Sequence, residues 1–94
     1  MSLLTLKAVN DTTYVLSGEL NRYSVPSVKL PKVPTQSTLT LDLSEVAKVD
    51  TAGLAWLIYN FSQLQRNNIS LKLVHLPEQL KKLMQLGHVE NLFE

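Results

Sequence analysis

The second half of this chain alternates strand-like and helix-like hydrophobic patterns, and this alternation limits the possible folds more than any other feature. Residues 38–44 alternate apolar and polar side chains, which is typical of a strand. A helical period follows over Thr51–Arg66, then a second alternating stretch at 70–76 and a second helical period at 77–86. Strand–helix–strand–helix order favours parallel pairing, because each helix carries the chain back across the sheet.

The first half predicts an antiparallel hairpin. Apolar and polar residues alternate at 4–9, an Asn-Asp-Thr turn signal follows, and "TYVLSGEL" at 13–20 reads as the second strand. We interpret 44–50 as a tight connection that leads into the first long helix. The 94 residues suffice for one domain, 1–94, with one modest core. The predicted fold class is α/β, a mixed four- or five-stranded sheet with helices largely on one face.

The segment between the hairpin and the next strand is rich in proline. Pro26 fits the first turn of a helix capped by Ser24, whereas Pro31 does not fit inside a helix because its ring blocks the helical hydrogen bond. We therefore expect a short or broken helix within 22–36, followed by a loop. Further along the chain, Gly87 is expected to end the last helix.

Composition and charge exclude several kinds of protein. The net charge is +1 and no basic cluster exceeds the pair Lys81-Lys82, so no nucleic-acid partner is expected. The absence of cysteine excludes disulfides and Cys-based zinc sites, and two histidines without ligand spacing predict no metal. The longest apolar run, Leu54–Tyr59, is too short for a membrane span, and the first residues do not resemble a leader. We expect a cytoplasmic protein without cofactors that does not insert into the membrane.

The helix over Thr51–Arg66 has an unusual outward face, because no charged residue occurs before Arg66. The stripe predicted to cover the sheet consists of Leu54, Leu57, Ile58, Phe61, Leu64 and Gln65. The opposite face consists of Ala52, Trp56, Tyr59, Gln63 and Arg66. Either the two aromatic side chains lie over neighbouring elements of the domain, or they form a docking face for a partner, since both residue types are enriched in interface hot spots.

The residues at the start of this helix also have two possible interpretations. Asp50 is a good N-cap, because its carboxylate can accept a backbone N–H from the first turn. Thr51 places a hydroxyl beside the free N–H groups, and Gly53 permits close approach of another chain or of a phosphate. A phosphate on Thr51 would meet the positive end of the helix dipole but also the repulsion of Asp50, which could act as a switch. Simple capping is the alternative.

Catalysis is not expected. Thr51, His75 or His88, and Asp50 could be named as nucleophile, base and orienting group. No nucleophile elbow, glycine-rich phosphate loop or metalloprotease spacing accompanies them. We therefore predict no catalytic residue.

Three stretches resemble a STAS domain of the anti-sigma-factor antagonist type. They are "SGEL" at 17–20, "LDLSEVAKVDTAGLA" at 41–55 and "ISLKLVHLPEQLKKLMQLGHVENLF" at 69–93. The family pattern is a strand ending in Asp-Leu, a turn, and a helix opened by aspartate, Ser/Thr, a small residue and glycine. The matching positions are Asp42, Leu43, Asp50, Thr51, Ala52 and Gly53.

The threonine and the following Gly-Leu-Ala are most similar to the MlaB-type subunit of the Mla phospholipid-transport ABC complex. This resemblance implies a non-enzymatic subunit that binds the cytoplasmic ATPase, at the inner membrane, and supports its assembly or activity in outer-membrane lipid asymmetry. The alternative is a phospho-regulated antagonist that binds a kinase or anti-sigma factor. Thr51 matches the family's phosphorylatable position. Taken together, the family positions at the helix start and the outward face of the helix predict a partner-binding site of Asp50, Thr51, Ala52, Gly53, Trp56, Tyr59 and Gln63. The three prolines within 22–36 depart from the family, whose members usually carry a full helix there.

Overall fold

The computed structural model describes residues 4–89 and 91–92. Within them the chain forms four strands, two α-helices and one short 3₁₀ turn. In chain order these are β1 (Thr5–Ala8), β2 (Thr13–Leu20), the 3₁₀ turn (Val25–Ser27), β3 (Thr38–Val49), α1 (Thr51–Arg66), β4 (Ser70–Val74) and α2 (Glu78–Leu86). This order confirms the predicted succession, and the bounds of α1 are those of the predicted helix.

The four strands form one mixed sheet in the order β1-β2-β3-β4. β1 and β2 pair antiparallel as the predicted hairpin, and β2–β3 and β3–β4 pair parallel. The side chain of Asn10 closes the hairpin, because its Oδ1 accepts the N–H groups of Thr12 and Thr13 at 2.9 Å each. The mixed α/β sheet is thus confirmed, with four strands.

β3 is longer than its sequence pattern predicts. Leu39, Leu41 and Leu43 are fully buried, but the strand continues to Val49, so the predicted tight connection at 44–50 is wrong. Against β2, the pairing skips one residue of β3 at two places, which makes two bulges. Beyond Leu43 the buried side chains are therefore spaced by three residues, at Val46 and Val49, and the two-residue alternation disappears.

Both helices lie on one face of the sheet, since α1 packs on β2, β3 and β4, while α2 packs on β3 and on α1. Leu54 and Leu57 of α1, and Leu80 and Met84 of α2, are buried in the core between helices and sheet. Of the rest of the predicted α1 stripe, Ile58, Phe61 and Leu64 are half-buried. Gln65 is exposed, so its place on the buried stripe is wrong.

The proline-containing segment forms one 3₁₀ turn and then an extended, irregular stretch. Ser24 occupies the N-cap position, but its hydroxyl donates to the Glu19 carbonyl at 2.6 Å instead of capping the turn. The 3₁₀ turn confirms the predicted short helix. The predicted capping role of Ser24 is wrong, because its side chain makes no capping hydrogen bond. Pro31 and Pro34 lie in the extended part, where the fixed φ of proline is accommodated.

The end of β4 differs from the prediction, whereas the end of α2 agrees with it. β4 ends at Val74, and His75 has a φ of 56°, so the ring does not share the buried face of Leu71 and Leu73. Gly87 follows the last residue of α2 as predicted, at a φ of −90°. For residues 89–94, the sequence "VENLFE" favours a short closing element, and part of it lies outside the described residues.

Candidate functional site

The start of α1 is held by the Asp50 cap. Asp50 has extended backbone angles, and its Oδ1 accepts the Gly53 N–H at 2.9 Å. The Asp50 carbonyl oxygen then accepts the first helical bond from Leu54 at 3.0 Å. The predicted capping interaction is confirmed, because this carboxylate satisfies one of the N–H groups that a helix start leaves without a partner.

Gly53 is buried against the end of β2. A Cβ on this residue would overlap the Leu20 carbonyl oxygen and lie 2.9 Å from the Leu20 Cγ atom. The close approach that the sequence indicates is made within the chain, by the end of β2. Contact of Gly53 with a partner or a phosphate stays a prediction. Sequence alone could not identify the neighbour, because residue 20 is 33 positions away.

Thr51 is the accessible residue of this turn. Its side chain is exposed and makes no hydrogen bond within the part of the chain that the structure describes. Ala52 is half-buried beside it, and the first turn of α1 contains no acidic residue. A modifying enzyme or a partner protein could reach the Thr51 hydroxyl without unfolding the helix.

The two aromatic residues on the outward face of α1 have different surroundings. Tyr59 is 62% exposed. Trp56 is half-buried and packs against the core, as the interpretation of part-burial within the domain expects. Gln63 is half-buried. The outward face therefore offers one free aromatic side chain, and the indole of Trp56 also has a structural role.

An apolar groove runs between α1 and the extended segment at 28–35. Its volume is about 580 Å³. Trp56, Tyr59 and Gln63 line it from the helix, and Leu30 and Val33 line it from the extended segment. The outward face of α1 is thus one wall of a groove, which periodicity within the helix cannot predict because the other wall comes from a distant segment.

A second exposed aromatic lies beside the helix start and was not predicted. Tyr23 is 75% exposed, with the Arg22 guanidinium 4.7 Å from its ring centroid. This turn follows Leu20, whose carbonyl accepts the Asp50 N–H at 3.1 Å, so it is adjacent to the start of α1. The sequence signal is Asn21, whose Oδ1 accepts the N–H of Tyr23 at 2.9 Å in an Asx turn.

The residues considered for catalysis are not brought together. His75 is exposed, and its Nδ1 lies 3.0 Å from Oδ1 of Asp42, not beside Asp50 or Thr51. The Ser44 N–H, which donates to Asp42 at 2.9 Å, and the neighbouring His75 hold the pKa of the Asp42 carboxyl below its usual value. This pair joins the interior of β3 to the residue that follows β4.

Metal ligation and membrane crossing both find no support among the described residues. Within residues 4–89 and 91–92, no three side chains among His, Asp and Glu converge as metal ligands would. In the same ranges, no helix has the length and hydropathy needed to cross a bilayer.

Comparison with known proteins adds to this geometry. The family model described as "Mlab, STAS domain" matches residues 5–94. An anti-sigma-B factor antagonist of Bacillus subtilis (strain 168) is 27% identical over 88 residues, covering 90% of this chain and 81% of the relative. The protein of the same name from Listeria monocytogenes is 28% identical over 91 residues, covering 89% and 80%.

Among solved structures, the anti-sigma factor antagonist SpoIIAA in its unphosphorylated form superimposes with a TM-score of 0.67. The match covers 93% of this chain and 82% of that chain, at 15% identity. At this identity the likeness establishes the fold.

Proposed function

Because the chain belongs to the STAS domain family, we propose that it is a non-enzymatic binding subunit that docks on a partner protein through the start and outward face of α1. The observation that carries the proposal is the exposed Thr51, next to the capped helix start. Tyr59 lies about 12 Å further along the helix axis and is also exposed. A partner could contact both residues at once.

The chemistry of this face suits burial in an interface. With 100° per residue, Thr51, Ala52, Trp56, Tyr59 and Gln63 lie within an arc of about 140°. None of them is charged, so docking would not require an ion to lose its hydration shell without compensation. Tyrosine adds a large apolar ring and a hydroxyl, which is the reason for its enrichment in hot spots.

Thr51 would also regulate the docking. The resemblance matches this residue to the phosphorylatable position of the family, and its side chain is accessible. The helix dipole would stabilise a phosphate there and Asp50 would repel it. Because these two effects offset each other, the helix would persist. A partner packed against the same turn would have to accommodate about two negative charges, and binding would weaken.

One candidate partner is an anti-sigma factor or its kinase. The two named relatives are anti-sigma-B factor antagonists that align over most of both chains, which is the more direct support among the comparisons. In this interpretation, the unmodified protein binds the anti-sigma partner, and phosphorylation of Thr51 dissociates the complex.

The other candidate partner is the ATPase of an ABC-type phospholipid transporter. It is supported by the description of the matching family, which names Mlab and covers residues 5–94. The Thr51 and Gly-Leu-Ala similarity points the same way. In this reading, the protein is cytoplasmic, is held at the inner membrane by the ATPase, and supports transport that maintains outer-membrane lipid asymmetry.

Affinity purification from the native cell distinguishes these partners. The tagged chain should recover either an ABC-type ATPase or an anti-sigma kinase, identified by mass spectrometry. The Tyr59→Ala variant should recover much less of that same partner, whereas Lys7→Ala, an exposed change on β1, should recover as much as the parent. Recovery of neither class, or equal recovery by Tyr59→Ala, would contradict the proposal.

A further inference from the structure

The groove beside α1 has the dimensions of a small-molecule site. Its volume of about 580 Å³ falls within the range of roughly 300–1,000 Å³ that is usual for ligand pockets. Apolar side chains from both walls line it, among them Leu30 and Val33 from the segment 28–35 and Trp56 and Leu64 from α1. This lining would favour an apolar ligand body, because burial removes its surface from water.

The groove is also basic. Lys29 and Lys32 line it, and neither forms an ion pair within the described part of the chain. No aspartate or glutamate is among the described residues that line the groove. Two unpaired ammonium groups beside an apolar surface attract an anion and repel a cation of the same shape.

Neutral polar groups are present on the helix side. Tyr59 and Gln63 line the groove, and neither side chain makes a hydrogen bond among the described residues. By contrast, Asn60 donates to the Trp56 carbonyl at 2.8 Å, within the helix. The Tyr59 hydroxyl and the Gln63 amide are therefore available as donors to an acidic head group.

The shape of the groove favours an elongated ligand. Its lining begins at Trp56 of α1 and ends at Asn67, the residue that follows the helix, which is a span of about three helical turns or roughly 16 Å. The extended segment at 28–35 accompanies the helix on the other side. A long apolar surface accommodates a linear chain better than a compact ring system.

We propose that this groove binds a small organic anion with an elongated apolar body, such as a single alkyl chain that ends in a carboxylate or phosphate. The chain lies on the apolar lining, and the head group lies at Lys29 and Lys32. The site shares Trp56, Tyr59 and Gln63 with the proposed docking face. Its test does not depend on the partner, because the ligand binds the isolated protein.

The protein contains its own probe for this site. Trp56 is the sole tryptophan of the chain and lines the groove, so its fluorescence reports occupancy. Decanoate and decyl phosphate, titrated below their micelle concentrations, should each give a saturable shift of the Trp56 emission. Decyltrimethylammonium and decanol are matched cationic and neutral controls, and should bind roughly tenfold more weakly or not at all.

Charge variants test the position of the head group. Lys29→Gln/Lys32→Gln should weaken binding of both anions roughly three- to tenfold, since each exposed ion pair contributes little by itself. Lys7→Gln/Lys82→Gln removes the same charge outside the groove and should leave binding unchanged. The proposal would be overturned by no saturable response to either anion, by equal binding of the cationic or neutral control, or by equal loss in the two double variants.

Discussion

Gly53 lies so close to Leu20 that any side chain on the glycine would overlap the leucine carbonyl group. The same carbonyl oxygen accepts the N–H of Asp50 at 3.1 Å. The first turn of α1 is therefore attached to the end of β2 through main-chain atoms. As a result, the position of Thr51 relative to the sheet is fixed by backbone packing.

This contact predicts the effect of Gly53→Ala. Alanine is about 1 kcal/mol better than glycine inside a helix, so an unhindered site would be stabilised. Here the added methyl must displace a main-chain carbonyl, and overpacking of this kind costs roughly 1–3 kcal/mol. We expect a net decrease in the free energy of unfolding, measured by urea denaturation. Ser62→Ala, at an exposed position of the same helix, is the control and should not destabilise. Unchanged or greater stability of Gly53→Ala would show that the turn can move.

Asp50 acts on stability through its cap. Asp50→Ala should lower the free energy of unfolding by roughly 0.5–2 kcal/mol, because the Gly53 N–H loses its acceptor. Asp50→Asn should cost much less, since the asparagine oxygen also caps. Chemical denaturation of both variants checks this. Equal losses would point to the charge of Asp50 and to a role beyond capping.

Substitutions of Thr51 should affect docking without affecting folding. Thr51→Glu places an acid in the first turn, where the helix dipole favours it, so thermal stability should be kept. Binding of the partner should nevertheless weaken, because a fixed carboxylate then faces it, while Thr51→Ser should bind as the parent does. Melting curves and partner co-purification are measured on the same samples. Full co-purification of Thr51→Glu would show that the partner does not contact this turn.

Trp56 and Tyr59 should respond differently to truncation. Tyr59 is exposed, so Tyr59→Ala should change stability by no more than about 0.5 kcal/mol, yet cost on the order of 2 kcal/mol in partner binding. Titration calorimetry with the purified partner, beside a melting curve, measures both. Loss of stability without loss of affinity would remove Tyr59 from the docking face.

In contrast to Tyr59→Ala, Trp56→Ala is predicted to destabilise the domain. The indole is half-buried against the core, so the loss should be roughly 1–3 kcal/mol, below the 3–5 kcal/mol of a fully buried aromatic. From the sequence alone, Trp56 could also lie on a docking face that does not support the fold, and Trp56→Ala would then leave stability unchanged. A melting temperature equal to that of the parent would show that the packing of Trp56 contributes nothing.

Asp42 contributes to the pH dependence of stability. Its pKa is lowered in the folded protein, chiefly by the Ser44 N–H and further by His75. The folded state therefore binds a proton less readily than the unfolded state. The stabilisation is present above the ordinary aspartate pKa of 3.8 and is lost as pH falls through the lower pKa of the folded state. The difference in unfolding free energy between the parent and Asp42→Asn should shrink between pH 6 and roughly pH 2. A constant difference would contradict this.

The sequence by itself determined the elements whose signals are local. The bounds of α1, the Asp50 cap and the Asn10 turn follow from residues within four positions of one another, and the structure confirms each. The mixed sheet also follows, because strand–helix alternation restricts how strands can pair.

Only the tertiary structure decided features that depend on distant neighbours. β3 extends to Val49 because two bulges against β2 preserve burial while breaking the alternation. Position 53 must be glycine because the Leu20 carbonyl oxygen leaves no room for a Cβ atom. Trp56 is half-buried beside the segment at 28–35. Periodicity reports which side of an element is apolar, but the neighbour that covers it is set by long-range packing, so the same pattern fits a core contact or a docking face.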